Sequence, residues 1–374
     1  MSGLKIPFTG LPRQYNDLRE ELLNAADTVY QSGQVLDGEY TREFERQIAH
    51  RCQRKYAVAV NSCTQGLIFA LEALELTQSN ILIPGQSFIA TLNSVLRSGN
   101  NPIFCDINPD NNILDVETVY GKLDDMVDAV MYVNLYGNMI NYDRFSLVVD
   151  FWNSGLCVIE DAAQSFGARY KGRPSGSFGD ISLLSFDPTK NLPNYGSGGM
   201  ILTDDFDVYT RLLSLRNNGK ALDHYETGTN SKMSESDCAQ MLVKLDHFDA
   251  WQRRRTEIAK YYTTELSDFA TTPWVDKDVE HAWHKYVIKL DDRNHCQQWL
   301  EASGIETKIH YEHPLYDYPV AGNHHTPKLT DVSNSETLSR TALSLPIYPE
   351  LSDEEVERIA SAVQGFCRNG SLNY

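Results

Sequence analysis

Leu156-Cys-Val-Ile-Glu-Asp-Ala-Ala-Gln164 and Ile181-Ser-Leu-Leu-Ser-Phe-Asp-Pro-Thr-Lys-Asn-Leu-Pro-Asn-Tyr-Gly-Ser-Gly-Gly199 share one design. In each, a short apolar run ends in polar residues: Leu156–Glu160 leads into Asp161–Gln164, and Ile181–Phe186 leads into Lys190. Runs of this length read as buried strands, and polar groups just past a strand's carboxyl end are where open α/β sheets hold ligands. After the Gly-rich turn, Met200–Thr203 reads as a further strand.

The same alternation extends outward. Ala57–Val60 reads as a strand, Asn61–Thr64 as a turn and Gln65–Leu74 as an amphipathic helix whose N-terminus is a potential anion site. Ile81–Pro84 precedes a helix over Phe88–Arg97, Pro102–Ile107 follows, and Ala129–Leu135 precedes a helical stretch over Asp143–Trp152. Strands alternating with helices from Ala57 to Asp205 predict α/β architecture with a mostly parallel sheet. Beyond Leu242 come a helical stretch over Val243–Leu266, two strand-like runs, Lys285–Leu290 and Glu306–Tyr311, and a terminal helix over Asp353–Phe366. The reading is a large domain over residues 1–245 and a smaller C-terminal α+β domain over 246–374. Arg253, Arg254 and Arg255 are assigned to a solvated helix face.

A chain of 374 residues can bury a sizeable core. Its formal charge of -18 opposes binding to nucleic acid or anionic membrane. No apolar run approaches the roughly 20 residues of a membrane span, and the start, Met-Ser-Gly-Leu-Lys-Ile-Pro-Phe8, has no signal-peptide core, so a cytoplasmic location is expected. Seven scattered cysteines without a CxxC pair argue against disulfides or zinc. No GxGxxG follows the first strand and no GxxxxGK[ST] occurs, which argues against a dinucleotide or P-loop enzyme.

A pyridoxal 5'-phosphate (PLP) enzyme needs an amine to hold the cofactor, a carboxylate for its ring nitrogen, an anion cradle and an aromatic surface. Lys190, Asp161, Thr64 and Phe88 supply one candidate each, all close to predicted strand ends. Ser185 is spaced to place a hydroxyl on phosphate while Lys190 reaches the aldehyde, and Gln164 is one turn from Asp161. Competing uses stand beside these: a surface position for Lys190, helix capping for Asp161 and Thr64, and core packing for Phe88.

Together these segments resemble the DegT/DnrJ/EryC1/StrS sugar aminotransferases, a branch of the fold-type I, aspartate-aminotransferase-like PLP enzymes. The resemblance runs from Ile6-Pro-Phe8 and Ser32–Glu45 to Leu343–Glu355, and is sharpest at Glu160–Gln164, Ser185-Phe-Asp-Pro-Thr-Lys-Asn191 and Gly228-Thr-Asn-Ser-Lys-Met233. It implies Lys190 as the Schiff-base lysine, Asp161 as the pyridinium partner, Gln164 at the ring hydroxyl and Phe88 stacked on the ring. Cys63, Thr64 and Ser185 match phosphate-binding positions. Asn230 matches an asparagine that reaches the neighbouring subunit's phosphate, which implies a homodimer with shared active sites. His310, in Thr307-Lys-Ile-His-Tyr311, matches a substrate-side segment, with a structural histidine as the competing use.

The chain departs from the family pattern at Cys63, Ser197, Asn218 and Lys232, where glycine, aspartate, histidine and arginine are usual. The implied reaction takes an amino group from L-glutamate to a nucleotide-linked keto-6-deoxy sugar. Val243–Trp251 and the Ile309-His-Tyr311 segment lean toward amination of carbon 3. A 4-keto sugar or cyclitol acceptor, or a non-catalytic relative keeping the fold, are the alternatives. Lys190 counts against the 3-dehydratase relatives, which carry histidine there.

Overall fold

The computed structural model describes residues 5–120, 127–152, 155–322 and 331–369. Its main sheet has seven strands: β1 (Tyr56–Val60), β2 (Asn80–Pro84), β3 (Asn101–Cys105), β4 (Ala129–Val133), β5 (Cys157–Asp161), β8 (Ile181–Ser185) and β9 (Gly199–Thr203). Their spatial order is β1-β9-β8-β5-β4-β2-β3. Only β9 runs against the rest, since it pairs antiparallel with both β1 and β8 while the other neighbours are parallel. The mostly parallel sheet is therefore observed, with Met200–Thr203 as its reversed member.

These strands read as unbroken apolar runs because both faces are covered; all five residues of β4, β8 and β9 are buried. Successive side chains divide between two cores. Ile83, Met131 and Ile159 pack with Leu67 and Phe69 on one face. Leu82, Val130, Tyr132 and Val158 pack with Phe145 and Phe178 on the other. The covering helices include α1 (Leu11–Ser32), α2 (Glu39–Arg51), α3 (Cys63–Ala73), α4 (Ile89–Arg97), α5 (Val116–Tyr120), α6 (Tyr142–Trp152) and α7 (Phe206–Arg216). A small sheet of β6 (Arg169–Tyr170), β7 (Arg173–Pro174) and β10 (Val279–Glu280) ties the later chain to this body.

The C-terminal part contains α8 (Glu235–Leu266), β11 (Tyr286–Lys289), α9 (Arg293–Ala302), α10 (Pro319–Gly322), α11 (Ser333–Thr341), β12 (Ala342–Leu345) and α12 (Asp353–Asn369). Its core gathers Ile258, Tyr262, Tyr286, Leu300, Leu345 and Ile359. The division expected at 245/246 meets the interior of α8, a continuous 32-residue helix in contact with α1 and α2 as well as α12.

Three local expectations are corrected. Glu306–Tyr311 is not a strand: it makes only an isolated bridge, Lys308 to Ser344, and the partner of β11 is β12. The turn expected over Asn61–Thr64 is shorter, because α3 begins at Cys63 with Ser62 as its cap. Arg255 is buried, not solvated; its guanidinium donates to the carbonyls of Trp283 and Ile347 at 3.2 and 2.8 Å. No helix among the described residues is long and apolar enough to cross a membrane.

Candidate active site

The carboxyl ends of β4, β5 and β8, the start of α3 and the start of α4 surround a cavity of about 320 Å³. It is lined by Cys63, Thr64 and Phe88 on one side, by Asp161, Gln164 and Ser185 at the strand ends, and by Lys190 and His310. Eight of the nine residues singled out in the sequence thus meet in one place. Asn230 does not; it is exposed, bridged to Asn217 and outside this lining.

Asp161 is the last residue of β5 and 4 % exposed. One carboxylate oxygen accepts from the Ala163 N–H and the other from the Thr91 hydroxyl, both at 3.1 Å. Burial pushes its pKa up, opposed by those two bonds and by the charge of Lys190. Lys190 follows β8 in a turn closed by its own N–H to the carbonyl of Asp187 at 2.9 Å. Burial pushes its amine below the usual lysine value, opposed by Cys63, Asp161 and Asp187. The same burial raises the Cys63 thiol well above its ordinary value, so a neutral thiol beside the phosphate position is expected.

The anion cradle is the N-terminus of α3. Ser62 caps it by accepting from the Gln65 N–H at 3.2 Å, so capping is the role of Ser62 and not of Thr64. Gly199, the first residue of β9, lies so close that a Cβ there would fall 2.6 Å from the Cys63 nitrogen. Backbone from two elements therefore crowds the point where helix N–H groups face the cavity. Ser185 stands across from them, its hydroxyl accepting from the Asp187 N–H at 3.4 Å.

Phe88 occupies the N-cap position of α4 and is 48 % exposed, with its ring 5.7 Å from that of Tyr311. An aromatic so open at a cavity wall is a surface for a ligand rather than a core contact. Gln164 is held from both sides, accepting from the Tyr136 N–H and donating to the Tyr311 hydroxyl, each at 3.0 Å. His310 stacks on Phe8 at 5.7 Å and shares a 2.8 Å hydrogen bond between its Nδ1 and the Ser344 hydroxyl. Burial holds its pKa well below the ordinary histidine value, so the imidazole is neutral.

Among the residues of the site not singled out in the sequence are Thr91, His284, Lys285 and Tyr311. Thr91 had a signal, lying three residues after Phe88 and so one turn along the same helix face. His284 and Lys285 were visible as a polar pair inside the otherwise apolar run Ala282-Trp-His-Lys-Tyr-Val-Ile288.

Residues 16–364 match the model of the DegT/DnrJ/EryC1/StrS aminotransferase family. The chain belongs to this family. Among curated members it is 33% identical, over 96% of its length and 99% of the relative's, to the erythromycin biosynthesis sensory transduction protein EryC1 of Saccharopolyspora erythraea. It is 32% identical, over 96% of both chains, to the dTDP-3-amino-3,4,6-trideoxy-alpha-D-glucose transaminase of Streptomyces venezuelae. The crystal structure of S. venezuelae DesV in complex with a ketimine intermediate superposes with a TM-score of 0.93 at 32% identity, covering 98% of this chain and 99% of that one. The chain is thus an α/β enzyme of the aminotransferase type, and several of its relatives are named as nucleotide-sugar transaminases.

Proposed function

We propose that this protein is a PLP-dependent transaminase that takes an amino group from L-glutamate and gives it to a nucleotide-linked keto-6-deoxy sugar. The preferred acceptor is a 3-keto sugar, giving a 3-amino sugar. The observation that carries the reading is the Lys190–Asp161 pair, an amine and a buried carboxylate at adjacent strand ends of one cavity that also contains an open helix N-terminus. Support for the 3-amino product comes from relatives named for such sugars, dTDP-3-amino-3,4,6-trideoxy-alpha-D-glucose and dTDP-3-amino-3,6-dideoxy-alpha-D-galactopyranose transaminases among them.

The residues present fit the cofactor. The α3 N-terminus with Thr64 and Ser185 would hold the phosphate, the Cys63 backbone completing the cradle. Asp161 would hold the ring nitrogen, Gln164 the ring hydroxyl and Phe88 one ring face. When bound, PLP supplies an electrophilic aldehyde carbon and a ring that accepts electrons as a Cα–H bond breaks.

The chain's own groups do the rest. Burial lowers the pKa of Lys190, which favours the free amine that would hold the cofactor as nucleophile and then carry a proton at the reacting carbons. Asp161, oriented by Thr91 and the Ala163 N–H, would keep the ring nitrogen protonated. Gln164 is turned by the Tyr136 N–H so that its amide nitrogen points toward Tyr311 and the cavity. The neutral His310 stands on the wall where the acceptor sugar would lie. The second half of the reaction runs the same steps in reverse on the keto sugar.

We further propose that the enzyme works as a homodimer with Asn230 serving the partner's site. Val35 and Leu36 support this: they are 46 % and 42 % exposed, and Leu36 is bridged to Ser234, on the same segment as Asn230. The test of the cofactor and donor is the visible spectrum of the protein with PLP, before and after L-glutamate, alongside Lys190→Ala. A lysine-dependent band that L-glutamate bleaches is expected. Absence of the band in wild type overturns the cofactor, and a band that L-glutamate leaves unchanged overturns the donor.

A further inference from the structure

Lys285 is a buried amine facing the active-site cavity, and nothing in the chemistry above uses it. It lies directly before β11 and is 6 % exposed. Its N–H donates to the Tyr136 carbonyl at 3.1 Å, which anchors the root of the side chain. The side chain borders the cavity together with Lys190 and His310. Its Nζ is 5.0 Å from the centroid of the Phe8 ring, the same ring that stacks on His310. The amine therefore stands beside Phe8, whose ring stacks on the cavity-lining His310.

Among the described residues, this amine has no side-chain hydrogen bond or ion pair, and its close contact is the Phe8 ring. The acid that favours its charge is Asp187, whose Oδ1 already accepts from the Thr189 N–H and hydroxyl at 3.0 and 2.8 Å. Lys190 and Arg255 oppose its charge. Burial, with Lys190 and Arg255, pushes its pKa well below the ordinary lysine value, so holding it charged in the empty cavity carries a cost that a methionine of similar volume would not. An arriving carboxylate removes that cost.

Lys190 and Lys285 are the amines among the described residues lining the cavity, the two groups there that an arriving carboxylate would favour in the charged form, while burial holds both His284 and His310 neutral. Lys190 is committed to the reacting carbon. We propose that Lys285 binds a carboxylate of the amino donor, the inference resting on the aminotransferase reading above.

The donor is favoured over the acceptor on chemical grounds. The carboxylate of an α-amino acid is attached to the reacting carbon itself, within reach of a lysine beside Lys190. The diphosphate of a nucleotide sugar is joined to carbon 1, on the far side of part of the sugar ring from a keto carbon 3. A 6-deoxy sugar ring has no charge of its own for Lys285 to meet. Lys285 thus gives the cavity a way to accept a charged amino acid in one half-reaction and a neutral ring in the other.

The test compares PLP-loaded wild type with Lys285→Met, Lys285→Gln and Lys285→Arg, checking first that melting temperature and the visible band are unchanged. Calorimetric binding of three probes is measured: glutarate as a dicarboxylate, UDP-glucose as a neutral sugar nucleotide and UDP-glucuronate as an acidic one. Expected is a loss of glutarate affinity of at least about tenfold in Lys285→Met, with a matching rise in KM for L-glutamate, partial recovery in Lys285→Arg and unchanged UDP-glucose binding. Lys285→Gln keeps the comparison available if the methionine variant does not fold. Unchanged glutarate affinity in a folded variant overturns the proposal. So does a loss confined to UDP-glucuronate, which would make the carboxylate the sugar's. Failure of wild type to respond to L-glutamate would instead overturn L-glutamate as the donor, on which the proposal rests.

Discussion

Asp161 and Lys190 each had an ordinary alternative use, and the geometry separates them from it. Asp161 ends a strand and precedes a hydrogen-bonded turn, so it caps no helix, and Lys190 is half-buried and lines the cavity. Asp161→Asn keeps an acceptor for the Thr91 hydroxyl but loses the charge. It should fold normally, bind PLP more weakly and lose turnover on the order of 10²–10⁴-fold, read by steady-state kinetics and cofactor titration.

A second residue-scale prediction concerns Lys244, 0 % exposed, whose Nζ donates to the Pro193 carbonyl at 2.6 Å and lies 3.5 Å from the centroid of the Tyr195 ring. Burial pushes its pKa from 10.5 down to about 7. Between those two values the unfolded chain holds a proton that the folded chain has released, so stability from this group rises with pH across that window and is lowest below it. Lys244→Met removes the dependence. The melting temperature of wild type minus that of Lys244→Met should therefore increase from pH 6 to pH 9, and a flat difference would show that the amine stays charged in the fold.

At the scale of elements, the cofactor end of the site depends on how β9 meets α3. Gly199→Ala would drive a Cβ to 2.6 Å from the Cys63 nitrogen and 2.8 Å from its Cα. Backbone cannot yield as a side-chain tip can, so the start of α3 must shift. Spectral titration should show PLP affinity falling by more than in Ser62→Ala, which loses one capping bond and should cost about 1 kcal/mol of stability.

The buried strands were legible as elements because short apolar runs bounded by polar turns have few other readings. Glu306–Tyr311 misled because a strand is defined by its partner. Its neighbour across the sheet, Ala342–Leu345, pairs with β11 instead. The start of α8 was also missed, although Ser234-Glu-Ser-Asp237 carries a capping serine followed by two acids, a recognisable opening of a helix.

For the whole molecule, the cofactor half of the cavity was readable because its residues follow consecutive strands of one sheet, where chain order predicts position. The opposite wall, His284, Lys285 and Tyr311, comes from the C-terminal part, and its approach to the strand ends is set by packing that no local pattern encodes. Arg255 illustrates the same limit: one of three consecutive arginines, it is buried because α8 turns that position toward Trp283 and Ile347.

Asn230 extends the question beyond one chain. A residue at its exposed position, outside the cavity lining of its own chain, serves catalysis only if a second copy brings it to another site. Asn230→Ala and Lys190→Ala homodimers should each be inactive or nearly so, with unchanged melting temperatures. Mixed in equal amounts and allowed to exchange subunits, they should recover about a quarter of wild-type activity: random pairing makes about half the dimers mixed, and each mixed dimer has one intact site and one carrying both defects. If each site is instead built within one chain, mixing restores nothing, since every site still carries one of the two substitutions.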